Sequence, residues 1–158
     1  MLSRRSALML LATFGGFAYL SRSKNGAELA AELYATPLSK PAEPMSVYHL
    51  GHSLVGREIP AMVAQLAGEG HQYHSQLGWG TSLKEHWEPD LPINGFSVEN
   101  AHDAHRPAQE ALLSGDYDAV VLTEMVELRD ALSYHDSPRY LARWAELAWD
   151  ATPDARVY

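Results

Sequence analysis

Ser53 leaves an apolar run, Val47-Tyr-His-Leu-Gly51-His52-Ser53-Leu54, and enters a helical pattern. A hydroxyl in that setting is where a chain with a parallel sheet presents a nucleophile or a ligand-binding group. Two further stretches follow strand-like runs and carry glycines or polar side chains. Gly78-Trp79-Gly80-Thr81-Ser82-Leu83 supplies a glycine amide that can approach a developing negative charge without steric hindrance. Leu122-Thr123-Glu124-Met125-Val126-Glu127 supplies a hydroxyl and two carboxyls. A bland reading stands beside each: Ser53 as a helix cap, Gly80 as a turn glycine, Glu124 and Glu127 as solvated acids.

The chain also has 8 histidines, and His49-x-x-His52, His71-x-x-His74 and His102-x-x-His105 repeat one spacing. Imidazole is a common base and metal ligand. Residues three apart face the same way on a helix but opposite ways on a strand, and 49 and 71 fall in strand-like runs, which counts against a shared metal. With His86 and His135 able to join through the fold, a histidine-based metal-binding protein remains an alternative. Asp103 and His105 have the types of a catalytic pair on a polar, surface-like segment.

The elements that must position these groups alternate. Residues 46–50 have the aromatic and branched side chains of a buried strand. Ile59, Met62, Val63 and Leu66 recur at helical spacing, with Pro60 in the first turn and Gly68 and Gly70 as the stop. Residues 71–77 alternate weakly as a second strand. A short helix over 106–113, entered at Pro107, precedes the clearest strand, 116–124. Ser137 then caps a helix with Pro138 at its first position and Tyr140, Trp144, Leu147, Ala148 and Ala151 along one stripe. Residues 155–158 begin another strand. This order predicts an α/β fold, a parallel sheet flanked by helices in three layers. Functional groups of such a sheet gather outside the carboxyl ends of its strands, which selects 51–54, 78–82 and 123–127.

The Gly51-His52-Ser53-Leu54 run resembles the first sequence block of the SGNH (GDSL-type) esterases and acylhydrolases, with His52 where that family usually has Asp. The resemblance covers about 46–158. It implies a flavodoxin-like architecture and ester hydrolysis through an acyl-serine intermediate, with Ser53 as nucleophile. It further implies an oxyanion held by the amides of Ser53 and Gly80 and by a side chain of the third block. Where the family has Gly-x-Asn-Asp, this chain has Thr123 and Glu124, so the side-chain donor is missing or is Thr123. No Asp-x-x-His follows Met45, and the resemblance therefore implies that the C-terminal part carrying the base is missing.

Residues 7–20 are uncharged behind Ser3-Arg4-Arg5-Ser6, which fits an export signal or N-terminal membrane anchor over 1–22 and resembles a twin-arginine signal. Fourteen residues fall short of the ~20 that a spanning helix needs. Residues 23–44, with Pro37, Pro41 and Pro44, read as a linker around a short helix over 27–34. The folded domain is then 45–158 and the protein is exported, periplasmic or secreted. A net charge of -8, from 20 acidic and 12 basic residues, disfavours nucleic acid as a partner. Without cysteine there is no disulfide and no thiolate metal site. No Gly-rich phosphate loop follows a strand, so no cofactor is implied. The expected partner is a small-molecule, carbohydrate or lipid ester. A last alternative is a non-catalytic binding module in which Trp79, Trp87 and Tyr134 offer apolar faces to a sugar ring.

Overall fold

A computed structural model describes Ala35, Pro37 and residues 41–158. The signal or anchor expected over 1–22, the short helix over 27–34 and most of the linker lie outside the described residues. The elements in the unit Glu43–Tyr158 are β1 (Ser46–His52), α1 (Glu58–Ala67), β2 (Gln72–Gly78), α2 (Leu83–Trp87), α3 (Phe96–Glu99), α4 (Ala108–Leu113), β3 (Ala119–Leu122), α5 (Leu128–Tyr134), α6 (Ser137–Ala151) and β4 (Arg156–Val157). Among the described residues, no helix is long and apolar enough to cross a membrane.

The four strands form one all-parallel sheet in the order β2-β1-β3-β4, which is the α/β architecture expected. The connection from β1 to β2 runs one way and the next carries the chain back across β1 to β3. The order therefore reverses between β1 and β3, and in open parallel sheets the crevice at such a reversal is where ligands bind.

Register decides which side chains share a face. Tyr48 lies beside Val120, and Leu50 beside Leu122. With Ala108, Ala111 and Leu112 of α4 and Tyr140, Trp144 and Ala148 of α6, Tyr48, Leu50 and Val120 form the core. Each large apolar side chain buried there is worth ~1.5–3 kcal/mol. The one polar atom that Trp144 brings is satisfied, because its indole N–H donates to the Leu83 carbonyl at 2.9 Å.

The spacing of Ile59, Met62, Val63 and Leu66 does mark a helix, but α1 turns these residues outward, with Leu66 87 % exposed. The inward side is Pro60, Ala61 and Ala64, small enough for the helix to lie close to the sheet. The cap of α6 is Asp136, in the left-handed region at φ 50, rather than Ser137, which is buried as the first helical residue. Three short helices, α2, α3 and α5, occupy stretches whose sequence has no full amphipathic period.

Loops bond to the outer edge of β2, and the residue before β3 ties down the start of β1. The Asn100 amide accepts from Leu77 N–H at 2.9 Å and donates to the Leu77 carbonyl at 2.8 Å, standing in for a further strand. Ser75 exchanges backbone bonds with Ala104 and Arg106, which covers the middle of the β2 edge. At the start of β1, the Ser46 amide donates to Asp118 Oδ2 at 2.8 Å and its carbonyl accepts from the Asp118 amide at 2.9 Å.

Candidate functional site

Past the buried residues Gly51 and His52, the chain turns: the amides of Val55 and Gly56 both donate to the His52 carbonyl, at 3.0 and 3.3 Å. Ser53 is the first residue of that turn and is exposed. It does not cap α1, whose N-cap is Arg57. Its hydroxyl forms no hydrogen bond among the described residues. The neighbouring His52 ring faces back on the turn, with Nδ1 accepting from the Leu54 amide at 3.3 Å.

Gly51 lets the ends of β1 and β3 meet. A Cβ there would fall 2.9 Å from the Thr123 Cβ and 3.2 Å from Val55 Cγ2, closer than carbon atoms pack. Thr123 thus lies against the strand end that presents Ser53, and its amide donates to the Leu50 carbonyl at 2.8 Å.

Beyond β2, Gly80 is exposed in the left-handed region at φ +61, and no described residue accepts a hydrogen bond from its amide. Two residues later Ser82 caps α2 in a capping box with Glu85. The Ser82 amide donates to Glu85 Oε2 at 2.7 Å, and the Glu85 amide donates to Ser82 Oγ at 3.2 Å. Ser82 Oγ also lies 2.9 Å from His135 Nδ1, tying the end of α5 to the start of α2. Ser82 is fully buried and occupied by these bonds, so this serine and histidine are a brace and not an accessible nucleophile.

Glu124 is turned toward the same helix start. Its Oε1 accepts from the Leu83 amide, the first of α2, at 3.1 Å and from its neighbour Met125 at 2.8 Å. A carboxylate suits that end of a helix, where amides lack internal partners. Its Oε2 is buried and has no partner among the described residues.

From α2, His86 reaches back to the sheet. Its Nε2 is 2.8 Å from the Gly51 carbonyl and its Nδ1 is 3.0 Å from Gln76 Nε2. The carbonyl can only accept and the amide nitrogen only donate, which assigns the proton to Nε2 and a neutral ring. Burial pushes its pKa down to about 4 against the opposing pull of the Gly51 bond. Gln76 spends its Oε1 on the Ala108 amide at 3.0 Å. With both nitrogens occupied, His86 positions the strand end that bears Ser53. Sequence reasoning read His86 only as a potential metal ligand and passed over Gln76, Glu85 and the brace from Ser82 to His135. The Ser82-Leu-Lys-Glu85 spacing was the readable signal.

The repeated histidine spacing does not assemble a metal centre: among the described residues no three histidines or carboxylates come together to hold an ion. Instead His49, Ser75 and His105 form one row across neighbouring strands, each with a buried polar atom lacking a partner. Burial, then the nearby His71, brings the His49 pKa down to about 4, and burial also lowers His102 and His105. His105 is packed edge-on against Phe96, 5.6 Å between centroids, whereas Asp103 is exposed to solvent. Of the three candidate aromatic faces, Trp87 packs edge-on against Trp144 beneath the Arg143 guanidinium, whereas Tyr134 and Trp79 are exposed.

Compared with known proteins, the chain matches no family model, no curated protein and no solved structure.

Proposed function

We propose that this chain is an ester hydrolase of the SGNH type, acting through an acyl-serine intermediate on Ser53. The observation that supports the reading most is the position of Ser53: exposed, its hydroxyl unbonded among the described residues, and at the carboxyl end of the strand beside which the sheet order reverses. The strand order 2-1-3-4 is also the beginning of the flavodoxin-like order 2-1-3-4-5 that such a fold would have. In the proposed reaction Ser53 Oγ attacks the ester carbonyl carbon as a base takes its proton. The oxyanion forms against the amides of Ser53 and Gly80, the alcohol departs with the proton, and water then releases the acid. Thr123 is the side chain of the third stretch with a proton to donate to the oxyanion, since Glu124 Oε1 is held by two amides. The pattern that would supply the base, Asp-x-x-His, does not occur in residues 45–158. We propose further that the N-terminal segment directs export.

The test is covalent labelling of the full-length product with a fluorophosphonate, followed by mapping of the modified peptide. Modification at Ser53 that disappears in Ser53→Ala is the expected result. Equal modification of Ser53→Ala would overturn the assignment. A second reading, a binding module that holds a ligand without cleaving it, draws on the absence of any histidine bonded to Ser53 among the described residues. It predicts no labelling and ligand affinity unchanged in Ser53→Ala.

A further inference from the structure

Trp79 is 49 % exposed although three contacts fix it. Its amide donates to the Asn94 carbonyl at 2.7 Å, and its indole N–H donates to Glu99 Oε1 at 2.7 Å. The third contact is its ring against Gly95, the N-cap of α3. A Cβ on Gly95 would fall 2.2, 2.4 and 2.6 Å from the indole carbons Cδ2, Cε2 and Cγ. Gly95 also has φ +68, a conformation that a side chain strains, so glycine is required there twice over. The indole therefore rests on backbone with its polar atom already satisfied, and about half of the residue's surface, 49 %, is left to solvent. A rigid aromatic surface loses little conformational freedom when something stacks on it, which raises affinity for a flat ligand.

The platform adjoins the proposed reaction centre. His52 and Gly78 are the last register pair of β1 and β2, so Trp79 follows on one strand where Ser53 follows on the other, and Gly80 is next in the chain. We propose that Trp79 stacks a neutral pyranose ring, so that the ester taken by this site is carried on a glycan. A pyranose with equatorial substituents offers a flat face of C–H bonds to the indole and a rim of hydroxyls that need acceptors. Glu99 supplies one at the edge of the ring, since its Oε1 holds the indole N–H and its Oε2 is not used by any described residue. A carboxylate in that place disfavours an acyl chain, which would desolvate it without a bond in return. Together with the net charge of -8 it also disfavours an anionic glycan. The reaction on that glycan rests on the ester-hydrolase reading; the binding does not.

The test is calorimetric titration of the full-length Ser53→Ala protein with cellohexaose, xylohexaose and chitohexaose. At least one hexaose should bind, with affinity at least tenfold weaker when Trp79→Ala or Gly95→Ala is added and an intermediate loss for Trp79→Phe. No binding of any of the three, or affinity unchanged by Trp79→Ala, overturns the platform. Should Trp79→Ala not fold, acrylamide quenching of tryptophan fluorescence in Ser53→Ala replaces it: saturating hexaose should lower the quenching, and no change overturns the proposal. Labelling of Ser53 by fluorophosphonate without hexaose binding would defeat the platform and leave the hydrolase standing. Trp79-dependent binding without labelling would do the reverse.

Discussion

The Nε2 proton of His86 is directed at the carbonyl oxygen of Gly51, 2.8 Å away, and this single bond joins the second helix to the end of the strand that presents Ser53. His86→Ala removes one bond from that buried carbonyl and leaves the Gln76 side-chain amide without a partner among the described residues. An unmade buried hydrogen bond costs ~1–3 kcal/mol, so urea unfolding should show a loss in that range. Fluorophosphonate labelling of Ser53 should fall as well, because the strand end loses its brace. An unfolding midpoint equal to wild type would show that the bond contributes nothing.

Stability should fall in mild acid. Burial lowers the pKa of both His49 and His86 to about 4, from about 6.5 in an unfolded chain. Between these values the unfolded state binds protons that the folded state refuses, so stability is full above pH ~6.5 and declines as the pH falls toward ~4. His49 Nε2 has no partner among the described residues, and His49→Leu should remove about one proton from that slope. Urea midpoints measured from pH 4.5 to 7.5 check this, and parallel curves for the two proteins would contradict it.

The sheet was legible where packing demands particular side chains. Tyr48 and Leu50, or Val120 and Leu122, are poor candidates for anything but a buried strand, and Tyr140, Trp144 and Ala148 mark a helix against it. The Ile59, Met62, Val63 and Leu66 spacing gave the existence of α1 but not its orientation, because periodicity places residues on one side without saying what that side meets. Ser53, Gly80, Thr123 and Glu124 could be singled out because each follows a strand. What the spacing withheld was how the loops between them are tied, since bonds such as Ser82 to His135 or Gln76 to His86 join residues from separate elements.

Ser82 and His135 should be energetically coupled. Ser82→Ala removes a helix cap, worth ~1 kcal/mol, together with the contact to His135 Nδ1 at 2.9 Å. A double-mutant cycle with His135→Ala should return an interaction of ~0.5–1.5 kcal/mol. Strict additivity would mean that α5 and α2 are held together by other contacts.

Gly51→Ala should be poorly tolerated despite its small size. The added Cβ meets Thr123 Cβ at 2.9 Å and Val55 Cγ2 at 3.2 Å, and both residues are tied to β1 by backbone bonds, Thr123 to Leu50 and Val55 to His52. Overpacking of this kind costs ~1–3 kcal/mol, so the thermal midpoint should drop by several degrees. An unchanged midpoint would mean that the ends of β1 and β3 separate freely.

The reciprocal bonds between Ser46 and Asp118 join residues 72 positions apart, and they begin the pairing of β1 with β3. A parallel sheet offers no hairpin with which to start, so the middle of this sheet closes only after a long loop has been drawn together. Folding should therefore be slow for a domain of this size, on the order of milliseconds to seconds. During synthesis β1 emerges first, finds β2 on one side, and keeps its other edge bare until β3 arrives. Valine, tyrosine and leucine along that bare edge make the nascent chain a client for whatever cellular factor shields unpaired strands.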